Sequence, residues 1–228
     1  MSVCIISVGN ELLKGKTINT NAAYIAKKLT ELGYSIKRII TVPDDVNEIS
    51  HEIGRAAKNF DLVLVTGGLG PTPDDVTAEG VAKGLNKKLV LNDDAVKLVK
   101  EKTSNEKVIE KICKLPEGCK VLENKKGVAP GFIIDNVVVM PGVPSEMMAV
   151  LDEFLKNIEI KEKYYERKLI TSKKEEEILE ILNKIVRKHK EVEIGSYPKE
   201  NMVEIIISGK SKNLVDSAAD ELEKLLKI

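Results

Sequence analysis

The sequence is poor in the residues that most often carry covalent and metal chemistry: its 228 residues include no tryptophan, two histidines and three cysteines. His51 and His189 stand apart in charged helical contexts and read as solvated surface, which leaves no histidine-based nucleophile or ligand set. Cys4, Cys113 and Cys119 form no zinc pattern. Five residues separate the last two, and no His–Cys cluster completes them. An odd cysteine count suits a reducing compartment, and Cys4, inside an apolar run, reads as a small core residue. Charge of one sign is also lacking. Thirty-six basic residues balance 36 acidic ones, so no general electrostatic force draws the chain to nucleic acid or an anionic membrane. The N-terminus shows no basic stretch leading into a long apolar one, and no apolar run approaches the roughly 20 residues that span a bilayer. The expectation is a cytoplasmic protein without nucleic-acid or membrane partners.

What is present suffices for a core. Hydrophobic residues make up 43% of the chain, and its length allows one large domain, or one of about 150 residues with a smaller one attached. Val3–Val8 is a nearly continuous apolar run, as a buried parallel strand requires. Asn19-Thr20-Asn21 offers caps to a helix carrying Ala22, Ile25, Ala26, Leu29 and Leu32, with Gly33 as its stop. Tyr34–Val42 reads as a strand, Val46–Ala57 as an amphipathic helix, and Asp61–Val65 as a third strand. This alternation predicts a doubly wound, mostly parallel α/β sheet, which takes ligands at the carboxyl ends of its strands. Three loops fall there, after Val8, Val42 and Val65.

Further helices are expected at Val76–Gly84, Asp93–Lys102 and Lys107–Lys114. Pro130–Met140 reads as a hairpin turning at Asp135-Asn136, followed by a helix that Ser145 caps. The charged, aperiodic stretch Asn157–Glu166 marks a boundary. It divides the chain into a domain at 1–157 and a small α+β domain at 166–228, the latter built from Arg167–Thr171, Glu175–Lys188, Glu191–Tyr197, Met202–Ser208 and Leu214–Leu226.

The chemistry concentrates in Thr66–Thr77, TGGLGPTPDDVT. Gly67, Gly68 and Gly70 let backbone amides approach an anion, and a helix starting near Val76 points its positive end at the same place. Asp74 and Asp75 would repel a phosphate there unless a divalent cation stood between them. The plainer alternative is a tight turn followed by an aspartate helix cap. The segment is not a P-loop, because no Gly-Lys-Ser/Thr follows the glycines.

Gly9-Asn-Glu-Leu-Leu13 with Gly15 and Asn19-Thr-Asn21, then Thr66–Thr77, Gly127-Val-Ala-Pro-Gly-Phe132 and Pro141-Gly-Val-Pro-Ser-Glu-Met147 resemble, in order, the signatures of the competence-damage (CinA) family. Its N-terminal domain is similar to the molybdopterin-binding proteins of molybdenum-cofactor synthesis. The resemblance spans most of residues 1–150; in the tail, Ile194-Gly-Ser-Tyr-Pro198 resembles a segment of the family's small second domain. It implies a three-layer α/β domain, a nucleotide or pterin phosphate as ligand, and a homo-oligomer, foremost a dimer. It also implies metal-dependent hydrolysis of a nucleotide pyrophosphate of the ADP-ribose type, with Mg, Mn or Co.

Under that resemblance, Asp75 and Asp44 are the catalytic candidates, and Asp74 with Asp75 the metal ligands. Thr66, Gly67, Gly68, Gly70, Thr72, Glu11, Asn21, Gly142 and Glu146 are the substrate-binding candidates. Asp44 reads equally as a cap for the helix at Val46, and Glu11 as a metal ligand, a ribose partner or an exposed carboxylate. A carrier or transferase of a molybdopterin-like phosphate, or a nucleotide-binding module without turnover, would use the same cradle.

Two departures stand out. Val128 occupies the position where the family's Gly-Thr-Ala-Pro-Gly has threonine, and the expectation is that the nicotinamide-nucleotide amidase domain of many bacterial relatives is absent, since the sequence runs only to Ile228. The expected outcome is no deamidation of nicotinamide mononucleotide. Ammonia release by the purified protein above that of a mock preparation is the result that would overturn it.

Overall fold

The computed structural model describes residues 1–158 and 164–227. Of the expected boundary at 157–166, the part at 159–163 lies outside the described residues. The chain divides into two compact units.

The first unit carries a six-stranded sheet in the order β2-β1-β3-β8-β7-β6. Its strands are β1 (Ser2–Val8), β2 (Ser35–Val42), β3 (Leu62–Thr66), β6 (Lys120–Leu122), β7 (Gly131–Ile134) and β8 (Val137–Met140). β2, β1, β3 and β8 run parallel, while β7 is antiparallel to both β8 and β6. The central strands are apolar on both faces because both are covered: Val3–Ile6 and Val63–Val65 are all fully buried. β2 forms one border of the sheet, and its exposed Lys37 and Arg38 keep a further strand from pairing there.

Helices cover each face. The helices of the first unit are α1 (Asn10–Leu13), α2 (Thr20–Glu31), α3 (Val46–Asn59), α4 (Thr77–Gly84), α5 (Asp93–Lys100), α6 (Glu106–Ile112) and α7 (Pro144–Leu155). Cys4, Ile6 and Val8 of β1, with Val63, Val65, Phe132, Ile134, Val137 and Val139, share one core with the apolar stripes of α3, α4, α5 and α6. The alternate residues face the other way: Ser7 accepts from Asn19 just ahead of α2, and a Cβ on Gly131 would meet Val150 of α7 at 2.4 Å. The result is the expected three-layer α/β domain. α3 and α4 cross closely enough to demand glycine. A Cβ at Gly80 would lie 2.5 Å from Ile49 Cγ2, and one at Gly84 would lie 2.6 Å from the Ser50 carbonyl.

Several local expectations are corrected. β4 (Leu89–Leu91), β5 (Lys114–Pro116) and β6 are strands that the sequence pattern does not announce, and β4 pairs with β5 in a separate two-stranded sheet. The expected helix at 107–114 ends at Ile112 because Lys114 enters β5. Ser145 does not cap α7: Val143 stands at the N-cap with Pro144 just inside, where proline's missing N–H costs nothing. Of the turn pair Asp135-Asn136, only Asp135 has positive φ, at 50°.

The second unit is an antiparallel sheet in the order β10-β11-β9, formed by β9 (Tyr165–Thr171), β10 (Glu193–Pro198) and β11 (Val203–Gly209). α8 (Glu175–Lys188) and α9 (Lys212–Leu226) pack on it through Ile178, Leu182, Ile185, Val215, Ala218, Ala219 and Leu222. His189 is not solvated surface as expected: its Nε2 lies 2.9 Å from Glu221 Oε2, with 12% of the side chain exposed. The burial of the first unit's two helical layers predicts that a chain shortened to residues 1–157 folds alone. Circular dichroism tests this, and an unfolded shortened chain beside a folded full chain would refute it.

Candidate phosphate site

The parallel strands β1, β2, β3 and β8 end along one edge, so the segments after Val8, Val42, Thr66 and Met140 meet there. The segment after β3 lies hard against the end of β1. Gly67 adopts φ 107°, its amide donates to the Met140 carbonyl at 3.1 Å, and a Cβ on it would sit 2.2 Å from the Val8 carbonyl oxygen. Gly68, at φ 67°, accepts from the Thr77 amide at 3.1 Å, which ties the loop to the first residue of α4. The amides of Gly68, Leu69 and Gly70 meet no acceptor among the described residues. They are free donors at the start of a helix whose N-cap, Val76, makes no side-chain bond.

Asp75 is therefore not the cap of α4. Its Oδ2 accepts from the Thr72 amide at 2.9 Å and from the Thr72 hydroxyl at 2.5 Å, and Asp74 Oδ1 lies 2.5 Å from the same hydroxyl. One hydroxyl hydrogen cannot serve both carboxylates, so two negative charges converge on a single point. The Thr72 bond is the main cause of Asp74's lowered pKa. Asp44 is not the cap of α3 either, since Asp45 accepts there from the Asn47 and Glu48 amides. Asp44 instead receives the Asn10 amide at 2.7 Å, which holds the start of α1 against the β2 end.

Asn21 fastens the β3 and β8 ends together. Its Nδ2 donates to Thr66 Oγ1 at 3.1 Å and to the Gly142 carbonyl at 2.8 Å, while Thr66 Oγ1 donates onward to the Pro141 carbonyl at 2.8 Å. This chain fixes the amide's orientation, and Oδ1 is left buried without a partner. Asn21 therefore acts as a brace whose donors are consumed within the protein. A Cβ on Gly142 would come within 3.2 Å of Gly67 Cα, so the two glycine segments pack backbone to backbone.

Three hollows flank the glycine loop. A pocket of about 80 Å³ is lined by Glu11, Asn21, Thr66, Gly67 and Gly142, among others. A cleft of about 600 Å³ is bordered by Gly68, Leu69, Gly70, Asp75, Val128, Gly142 and Glu146. A third, of about 230 Å³, reaches from Gly68 and Asp75 toward Lys111 and Lys114. Asp44, Thr72 and Asp74 stand outside all three.

Two residues absent from the sequence-based set join the site. Asn124, 1% exposed, takes the Lys126 and Gly127 amides on Oδ1 and donates to the Ala129 carbonyl and to Glu146 Oε2. Lys102 donates to the Asn124 and Gly127 carbonyls, pinning the same turn. No group of three His, Cys, Asp or Glu side chains suited to a metal gathers among the described residues. Burial pushes the thiols of Cys4, Cys113 and Cys119 up to about 11, which keeps them protonated at neutral pH and unsuited to nucleophilic attack.

A doubly wound sheet with a glycine loop at its carboxyl edge defines a class of phosphate-binding α/β proteins. Within that class, the family described as probable molybdopterin binding domain matches residues 4–160, and the FAD synthase middle domain matches residues 163–228. A protein of Archaeoglobus fulgidus is 48% identical over 99% of this chain and 98% of its own length. A CinA-like protein of Thermosipho melanesiensis is 38% identical over 98% of this chain, which spans 57% of that relative. The solved structure of the protein CinA with unknown function from Thermoplasma acidophilum superposes with a TM-score of 0.65 at 41% identity, over 70% of this chain and 99% of its own. The chain belongs to the probable molybdopterin binding domain family and, within it, to the CinA-like proteins. No helix among the described residues is long and apolar enough to cross a membrane.

Gly67→Ala is expected to lower stability by at least about 2 kcal/mol, because the new methyl meets the Val8 carbonyl at a φ unsuited to L-residues. Chemical denaturation measures this, and a loss under about 0.5 kcal/mol would show that the loop relaxes freely.

Proposed function

We propose that this protein binds the phosphate group of a pterin or nucleotide at the Gly67–Gly70 loop. The observation that carries this reading is the row of free amides at Gly68, Leu69 and Gly70, set at an uncapped helix start and opening on a cleft of about 600 Å³. Such amides are satisfied by an anion and by few other groups, and the cleft is within the size range of small-molecule sites. Membership of the probable molybdopterin binding domain family supports a pterin or nucleotide as the organic part.

The converging carboxylates of Asp74 and Asp75 fit a divalent cation, Mg, Mn or Co. Two anionic oxygens with one proton donor between them are stabilised by a positive charge, and a phosphate oxygen would add to their ligand set. When bound, the cation would neutralise phosphate charge. The chain's own part is to hold the carboxylates through Thr72 and to present the loop amides. Hydrolysis of a nucleotide pyrophosphate of the ADP-ribose type is a second reading. It rests on this same pair of aspartates and needs a water placed opposite the leaving phosphate. Binding is the better supported of the two.

Asp75→Asn tests the cation. It keeps the shape and the acceptor that Thr72 uses while removing one charge. Isothermal titration with ADP-ribose is expected to show weaker binding than the parent in the presence of Mg²⁺, and equal or tighter binding without it, since less negative charge faces the phosphate. A variant with unchanged binding and unchanged metal dependence would remove Asp75 from the site. AMP appearing in the titrated mixture would favour hydrolysis over binding alone.

A further inference from the structure

The small second unit has an open border. Among the described residues, β9 pairs with β11 on one side and with no strand on the other. A border strand of seven residues leaves every second N–H and C=O of its backbone without a ladder partner, and such a row is a template for another strand. Proline, a bulge or unopposed lysine charge commonly blunts such a border. β9 has no proline, pairs with β11 without a register shift, and sets Glu166 two residues from its lysine, Lys168. β10, the opposite border, is the poorer template, with six residues and a terminal Pro198 that has no N–H.

Alternate residues of β9 face opposite sides of the sheet. Leu169 joins the core that α8 and α9 form, and Arg167, on the same side, is held by Asp220 at 2.5 Å and Glu223 at 3.5 Å. Glu166, Lys168 and Ile170 stand exposed on the bare side. Glu166 makes no ion pair among the described residues. Lys168 bonds Glu204 of β11, which Lys199 also approaches, at 3.7 Å.

This pattern is complementary to itself. When a strand pairs antiparallel with its own copy about a two-fold axis, like faces stay together and the register centres on one residue. Centred on Glu166 or on Lys168, β9 would set like charge directly opposite like charge, which destabilises the pair. Centred on Leu169, it would set Lys168 opposite Ile170. Centred on Arg167, Glu166 of each copy stands opposite Lys168 of the other, and Tyr165 stands opposite Leu169. The one like pair of that register is Arg167 with itself, the arginine that Asp220 and Glu223 already neutralise.

We infer that β9 is a dimerisation strand: two copies of this chain join their small units edge to edge, antiparallel and centred on Arg167, into one continuous sheet in the order β10-β11-β9-β9-β11-β10. The inference is independent of the phosphate-site reading. Two such strands bury less than a standard interface, so the dimer dissociates on dilution, with a Kd in the micromolar range.

Sedimentation equilibrium of the full chain, from about 1 to 500 µM, is the test. The parent is expected to pass from monomer to dimer across that range. Glu166→Lys sets lysine opposite Lys168 twice and should weaken the dimer about tenfold or more. Adding Lys168→Glu to the same chain restores opposite charges with their signs exchanged, and should return the Kd to within about threefold of the parent; Lys199 remains to hold Glu204. Amide exchange reads the border directly: in the parent, β9 should exchange more slowly at high concentration than at low, with β10 unchanged. A parent that stays monomeric, a dimer equally strong in Glu166→Lys, or a double variant no tighter than the single one overturns the inference. Should a variant lose its folded circular-dichroism spectrum, the exchange measurement on the parent decides: slowing confined to β9 upholds the inference, and its absence overturns it.

Discussion

Backbone-to-backbone contact at the carboxyl edge of the sheet is the constraint on which the rest of the site depends. Gly67 must pass within reach of the Val8 carbonyl while its own amide bonds Met140, and Gly142 must lie on Gly67. A Cβ at Gly67 would clash with the Val8 carbonyl at 2.2 Å, and one at Gly142 would press on Gly67 Cα at 3.2 Å. The closeness leaves this loop's backbone little freedom, and the Gly68–Gly70 amides meet no acceptor among the described residues. The Asn21–Thr66–Pro141 chain of hydrogen bonds then locks the arrangement from the α2 side. Strand packing thus fixes the loop that carries these donors, and under the proposed reading such preorganisation lowers the cost of binding.

The order of strands and helices in the first 85 residues was legible because each element is long enough to show its period. β1 and β3 read as continuous apolar runs, since parallel strands are covered on both faces, and α2 and α3 repeat their apolar residues every three or four positions. β4, β5 and β6 are three residues each and α1 is four, too short for any period to emerge, and their identity comes from the partners they pair with. The end of α6 was overrun for a related reason: Cys113 and Lys114 suit a helix locally, and tertiary pairing with β4 overrides that preference.

The site was legible where its chemistry lies in composition and hidden where it lies in turn geometry. Gly67, Gly68 and Gly70 announce a loop needing unusual backbone angles, and the first two of these do adopt positive φ. Asp75 and Asp44 both looked like helix caps or functional groups, and neither caps the helix that follows it, because Val76 and Asp45 occupy those places. Asn124 gave no signal. Its importance comes from two backbone amides closing on its side-chain oxygen in a short turn, and such a turn depends on spacing that many surface loops share. Lys102 looked like one more lysine at a helix end, and only the folded carbonyls of Asn124 and Gly127 give it a task.

The distribution of charge around the loop shows why one ligand can require both halves of the site. A phosphate at the loop amides would face the carboxylate of Asp75, which borders the same cleft, so under the proposed reading a cation would offset their repulsion. A bare heterocycle would gain apolar contact with Val108, Ile112 and Val128, but little donor help from the cleft's side chains. Under the proposed reading, a phosphate-bearing ligand would supply an acceptor for the loop amides and apolar surface for the cleft walls. The described residues alone leave donors unmet at the loop. A ligand with a phosphate at one end and an apolar ring at the other would fill both the loop and the cleft, which a simple anion would not do.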